Sequence, residues 1–273
     1  MSELPRARRA LVLFSCLAVF LLCNSASAQT RPKRTAPEGA PPQSIMWVGN
    51  SFFYYNNSMH NEYGPIVRSG QPGSRPRGLS VTMGGSGMDW HDLESYFSSK
   101  TIGRYSFVGD NEVVFNKPGR QFDAVLMMDC SQCPIHPQLT GSFHDSVKKN
   151  GEIARRYGAQ PMLFMSWAYK DKPEMIRDLA EQYTIAGNAN DMLVIPAGLA
   201  FSNAIAKRPD LEFYQADKRH PTRIGTYLAA LTAYAAIWGR SPAGLPPPAG
   251  IDRDVATYLQ GVAGDTVKTY FGR

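Results

Sequence analysis

Residues 45–52 run Ile45-Met46-Trp47-Val48-Gly49-Asn50-Ser51-Phe52. Four apolar side chains in a row, with no polar alternation, mark a short strand buried on both faces, as in a parallel sheet. The run stops at Gly49 and a polar pair follows, so the chain turns at the carboxyl end of that strand. A second strand is expected at residues 79–83 before Gly84-Gly85, and further apolar runs lie at 124–128, at 161–165, and at 192–195 before Pro196. Helical patterns separate and follow these runs. Residues 142–157 end at Gly158, and residues 173–186 carry Met175, Ile176, Leu179 and Tyr183 on one face before Gly187. Two more cover 222–238 and 252–270. Strands alternating with helices predict an α/β fold, a three-layer α/β/α arrangement around a five-stranded, mainly parallel sheet. Residues 102–117 fit neither period and are expected to form an irregular insertion or a small hairpin. Residues 244–250 (GLPPPAG) link to the last helix and mark no domain boundary.

The flanks and the composition set the bounds. The chain has 273 residues, 43% hydrophobic and 19% charged, which excludes disordered, collagenous and coiled-coil classes. Arg6, Arg8 and Arg9 precede an apolar stretch over residues 10–23, and Ala26-Ser27-Ala28 supplies a small-x-small site. Residues 1–28 therefore predict a cleaved secretory signal, with cleavage after Ala28, a secreted or periplasmic protein, and no stable membrane span afterwards. Residues 29–43 (QTRPKRTAPEGAPPQ) hold four Pro and few apolar side chains, and predict a disordered Pro-rich linker. Residues 44–273 are expected to form a single domain. The formal charge of +6 falls to +4 once residues 1–28 are removed, with no basic cluster beyond Arg31, Lys33 and Arg34. That balance gives no support to nucleic-acid binding.

In an open parallel sheet, ligands sit beyond the carboxyl ends of the strands. Those ends carry Gly49-Asn50-Ser51, Gly84-Gly85-Ser86-Gly87 and Asp129-Cys130-Ser131-Gln132, while Asp217-Lys218-Arg219-His220-Pro221 precedes a helix. A hydroxyl, glycine amides and an acid–imidazole pair are the parts of an acyl-transfer site. Each alone has a plainer explanation: Ser51 as a helix cap, Gly84-Gly85 as a tight turn, Asp217 as the cap of a turn. Their joint occurrence at strand ends, in this order, favours chemistry. Trp90 and His91 are read as an amphipathic helix start with Trp90 in the core, against a role lining the pocket. Cys130 and Cys133 form a C-x-x-C pair, structural in one reading and redox-active in another. The five His residues show no ligand spacing, so no metal and no cofactor is expected.

These blocks resemble the SGNH (GDSL-type) hydrolases, and within them an exported bacterial branch of largely uncharacterised function. The similarity runs over roughly residues 45–242. Gly49-Asn50-Ser51 stands where the family has Gly-Asp-Ser, and Asp217-x-x-His220-Pro221 with Gly225-Thr226-Tyr227 matches the last block. The resemblance implies the flavodoxin-like SGNH hydrolase fold and a Ser-Asp-His triad. Ser51 would be the nucleophile, His220 the base and Asp217 its orienting acid. The amides of Ser51 and Gly85 would bind the oxyanion. At the third block the family carries an amide side chain, and this chain has Met128, which cannot donate a hydrogen bond. The missing donor then falls to Gln132 or, failing that, Ser131.

The expected function is a secreted serine esterase acting on a small acyl ester, such as an acetyl group on a carbohydrate. A non-catalytic glycan- or small-molecule-binding protein on a degenerate site is the alternative, resting on Met128. A thiol oxidoreductase using Cys130 and Cys133 is a third reading, disfavoured because no thioredoxin-like unit surrounds the pair.

Overall fold

The computed structural model describes residues 30–97, 105–110, 112–115 and 120–273. The expected signal segment lies outside them. Strand β1 (Ser44–Gly49) is buried at all six positions. It is central because it pairs in parallel on both sides, with β2 (Arg77–Thr82) and with β5 (Ala124–Met127). A separate antiparallel pair, β3 (Tyr105–Gly109) and β4 (Glu112–Phe115), fills the stretch expected to be irregular or a small hairpin. Strands β6 (Gln160–Phe164) and β7 (Leu193–Ile195) complete a five-stranded sheet of order β2-β1-β5-β6-β7. Every pairing in that sheet is parallel. The order reverses beside β1, and that reversal is the flavodoxin-like switch point where loops diverge and leave a crevice.

Helices cover both faces. On one side α2 (Met59–Gly70) and α7 (Arg223–Trp238) pack on each other, joined by α6 (Ala197–Lys207) and α8 (Arg253–Tyr270). On the other, α4 (Thr140–Arg156) and α5 (Met175–Ala189) lie against β6. Helix α7 is buried continuously from Gly225 to Ile237, and its Ala- and Leu-rich sequence suits a helix with no solvent face. Gly239 ends it in the left-handed conformation, with φ at +61°.

Two helices escape the sequence pattern. Helix α2 contains Pro65, which removes one backbone donor and argues against a helix locally. Tertiary contacts override that preference: Met59, Tyr63, Ile66 and Val67 are buried, and Trp238 Nε1 donates to the Tyr63 hydroxyl at 3.0 Å. Helix α6 follows Pro196 with the sequence AGLAFSNAIAK, whose small residues give a weak amphipathic signal.

Residues 30–43 lie in the stretch expected to be a Pro-rich linker. They form no regular element, yet they lie against the domain. The Thr30 amide donates to Glu181 at 2.9 Å, the Lys33 amide to Asn188 at 2.7 Å, and the Glu38 amide to Gln160 at 2.8 Å. Arg34 pairs with Asp191, and Arg155 with Glu38 at 3.3 Å. Gln160 opens β6, Asp191 precedes β7, and Arg155 and Asn188 sit late in α4 and α5, so residues 33–38 run along the amino-terminal edge of the sheet, while Thr30 reaches Glu181 midway along α5. Polar backbone partners hold it, which a count of apolar residues does not register.

Candidate active site

The carboxyl end of β1 delivers Gly49, Asn50 and Ser51. Asn50 caps the four-residue helix α1 (Ser51–Tyr54), its Oδ1 accepting from the Phe52 amide at 3.2 Å. Its Nδ2 donates to the carbonyls of Ser86, at 3.0 Å, and Asp129, at 3.1 Å. One buried side chain thus ties together the loops after β1, β2 and β5. Ser51 opens α1 and is 8% exposed.

The segment before α7 brings the imidazole. His220 Nε2 lies 2.8 Å from Ser51 Oγ, and His220 Nδ1 lies 2.5 Å from Asp217 Oδ2. Asp217 Oδ1 accepts from the backbone amides of Arg219, at 2.9 Å, and His220, at 3.0 Å, so the acid is fixed by the turn it closes. Burial alone would push the Asp217 carboxyl up. The hydrogen bonds from the His220 ring and the two amides outweigh it and hold the group down to about 2. The imidazole is stacked on Tyr55 at 4.1 Å and 8°, and meets the edge of Phe52 at 5.6 Å. Phe52 in turn stacks on Trp167 at 4.5 Å, and Trp167 Nε1 donates to the Arg219 carbonyl at 3.0 Å. These aromatic groups were not singled out in the sequence; the run Phe52-Phe53-Tyr54-Tyr55 was the available signal.

Gly85 lies in the left-handed region with φ at +73°, where a side chain would be strained. Among the described residues, no backbone partner takes the amide of Ser51 or of Gly85. Ser86 Oγ donates to the Gly49 carbonyl at 3.1 Å, and His91 Nε2 lies 3.0 Å from both. Gly85 also borders a cavity of about 290 Å³, together with Gly87, Asp89, Trp90, Asp129 and Cys133. Trp90 corrects the expectation of a core side chain: it is 63% exposed at this cavity, because its short 3₁₀ turn, Met88–Trp90, buries Met88 instead. His91, by contrast, is 3% exposed.

The loop after β5 is laid out differently from the other two. Met128 is fully buried, and its amide donates to the Val48 carbonyl at 3.0 Å. Ser131 Oγ is 2.6 Å from the Tyr169 hydroxyl. Gln132 precedes the turn Cys133–Ile135, and its side chain is half-buried and takes no hydrogen bond from the described residues. Cys130 and Cys133 are joined as a disulfide. Asp129 is 3% exposed, and its Oδ1 accepts from the amides of Met88, at 2.9 Å, and Cys130, at 2.7 Å. Burial pushes its carboxyl up to about 6, against those two amides and with the help of neighbouring Asp89.

No protein-family profile matches the chain, and no curated protein sequence does. Solved structures do. A DUF4886 family protein from Bacteroides uniformis shares 18% identity at a TM-score of 0.56, over 82% of this chain and 94% of that one. A protein from Slackia heliotrinireducens described as of SGNH hydrolase type shares 20% at 0.54, over 71% and 98%. An acetylxylan esterase from Geobacillus stearothermophilus shares 12% at 0.52, over 74% and 98%. The parallel sheet with its 2-1-3-4-5 type of order, the helices on both faces, and these likenesses together identify the fold as that of the SGNH (GDSL-type) hydrolases.

Proposed function

We propose that the chain is a serine ester hydrolase with Ser51 as nucleophile. The observation that carries the reading is the continuous contact from Ser51 Oγ through His220 to Asp217, 2.8 Å and 2.5 Å long. His220 Nε2 takes the Ser51 proton as Oγ attacks the ester carbonyl, then returns a proton to the leaving alcohol. Asp217 holds Nδ1 protonated, which leaves Nε2 free to act as base, and stabilises the imidazolium. Water then attacks the acyl-enzyme with His220 again as base. The unpaired amides of Ser51 and Gly85 receive the developing oxyanion. Gln132 supplies the third donor, because its amide is uncommitted, whereas the Ser131 hydroxyl already meets Tyr169.

The substrate in this reading is a small acyl ester, with acetyl on a carbohydrate as the leading case. The acetylxylan esterase among the structural neighbours supports that class. Export through residues 1–28, with cleavage after Ala28, belongs to the same reading and is checked by the amino-terminal sequence of the secreted protein.

The test is hydrolysis of p-nitrophenyl acetate and longer acyl esters by wild type and Ser51→Ala. The expected result is a preference for acetate and a loss in kcat of about 10⁴ or more in the variant. Equal turnover by both proteins would eliminate the serine mechanism. Met128 at the family's donor position favours one second reading, a glycan binder without turnover. Tight sugar binding with no Ser51-dependent hydrolysis would select it.

A further inference from the structure

Three groups converge on one carbonyl at the end of β1. The Gly49 oxygen accepts from the Met83 amide at 3.1 Å and from Ser86 Oγ at 3.1 Å, and His91 Nε2 lies 3.0 Å away. A carbonyl only accepts, so Nε2 carries the proton in that contact. The other ring nitrogen, Nδ1, lies 3.0 Å from the Tyr96 hydroxyl and accepts from it in this tautomer. Burial lowers the His91 pKa, chiefly by desolvation, which keeps the ring neutral and the tautomer single. Ser86 and His91 are 0% and 3% exposed, so no water competes for these bonds.

The position of this cluster gives it a consequence. Gly49 lies two residues before Ser51, and Ser86 directly follows Gly85. The cluster therefore joins the two segments that carry the unpaired amides. Asn50 Nδ2 makes a second tie to the Ser86 carbonyl at 3.0 Å. An oxyanion hole works only when its donors are held at hydrogen-bond distance from a single point before the charge arrives. Gly85, with φ at +73° and no backbone partner at its amide, sits inside the turn closed by the Ser86 amide on the Met83 carbonyl at 3.2 Å, and the cluster ties that turn to the end of β1.

We propose that His91 is a positioning residue, a strut that fixes the Gly85 loop against the end of β1 and so sets the spacing of the two oxyanion donors. It touches no reacting atom, and Tyr96 orients it from behind as Asp217 orients His220. The proposal rests on the serine-hydrolase reading for its catalytic consequence, while the strut itself is a property of the resting protein.

The test uses His91→Phe, which keeps the ring shape and loses both nitrogens, and His91→Gln, which retains a donor. Amide hydrogen exchange at Met83 and Ser86 of the unliganded protein, whose amides donate to the Gly49 and Met83 carbonyls, reads the strut directly. It is expected to quicken about tenfold or more in His91→Phe, with core strands unaffected. Hydrolysis of p-nitrophenyl acetate reads the consequence. Loss of one aligned donor costs about 10²–10³ in kcat, so His91→Phe is expected to fall in that range with KM little changed, and His91→Gln to recover part of it. Ser86→Ala removes one hydroxyl from the same cluster and serves if His91→Phe does not fold; it is expected to lower kcat about tenfold. Unchanged exchange at Met83 and Ser86, or wild-type kcat in a folded variant, overturns the proposal. An inactive wild type whose exchange still depends on His91 would sink the hydrolase reading and leave the strut standing.

Discussion

Among single residues, two perturbed carboxylates near the candidate site, Asp217 and Asp129, make opposite statements. Asp217 is held down to about 2 by bonds that favour its charged form. Its contribution to stability is present above the unfolded value of about 4 and is lost only as pH falls from there towards 2. It therefore stays ionised throughout the working range, and Asp217→Asn acts by presenting the wrong hydrogen-bonding partner to Nδ1. A buried triad acid is worth about 10⁴ in kcat; this one is partly exposed, so a loss of about 10² is expected from steady-state rates at pH 8. Asp129 is the reverse case. Its carboxyl is pushed up to about 6, so the folded protein holds that proton more tightly than the unfolded chain does. The stability this confers is full below about 4 and is lost as pH rises through 6. Asp129→Asn keeps an oxygen for the Met88 and Cys130 amides and carries no charge. Urea unfolding at pH 4 and pH 7 is expected to show the wild type losing about 1–3 kcal/mol relative to Asp129→Asn across that interval. A constant difference would contradict the assignment.

At the scale of elements, the sequence showed most where one physical signal acts alone. Four of the sheet strands hold unbroken apolar runs, β2 alternates apolar and polar residues at its edge position, and α4, α5, α7 and α8 have clear stripes or clean stop signals. Helix α2 was hidden by Pro65, because its helical state is set by packing on α7. The exposed turn at Trp90 was hidden because residue size predicts burial on average, and a strand-end loop is where that average fails. The site followed the same division. Ser51, Gly85, Asp217 and His220 sit in short motifs, which is why the sequence offers them as candidates. Asn50, Ser86 and His91 also make hydrogen bonds between segments distant in sequence, which no local pattern encodes. The disulfide is an element-scale device: it closes a loop of four residues, for which chain entropy gives about 2 kcal/mol at most. The double variant Cys130→Ala, Cys133→Ala is expected to melt a few degrees lower and to keep kcat within about tenfold. Abolished hydrolysis in a folded double variant would give the pair a role in the chemistry.

At the scale of the whole molecule, the sheet separates two ends. Ser51, His220 and the Gly85 loop lie at the carboxyl ends of the strands. Residues 33–38 run along the opposite edge, held by Asn188, Asp191 and Gln160. Exposed ion pairs such as Arg34–Asp191 contribute about 0–1 kcal/mol each. A chain beginning at residue 40 is therefore expected to lose about 1–3 kcal/mol in urea unfolding and to keep the kcat of the full chain. A collapse of kcat at unchanged stability would mean that the segment reaches the site.

The central claim is that Ser51, activated by His220, attacks acyl carbonyls, and labelling with a fluorophosphonate followed by peptide mass spectrometry tests it most directly. One adduct is expected, on the peptide containing Ser51, formed at a rate that falls by at least about 10³ in His220→Ala. No adduct on folded wild-type protein, or an adduct whose rate is indifferent to His220, would contradict it.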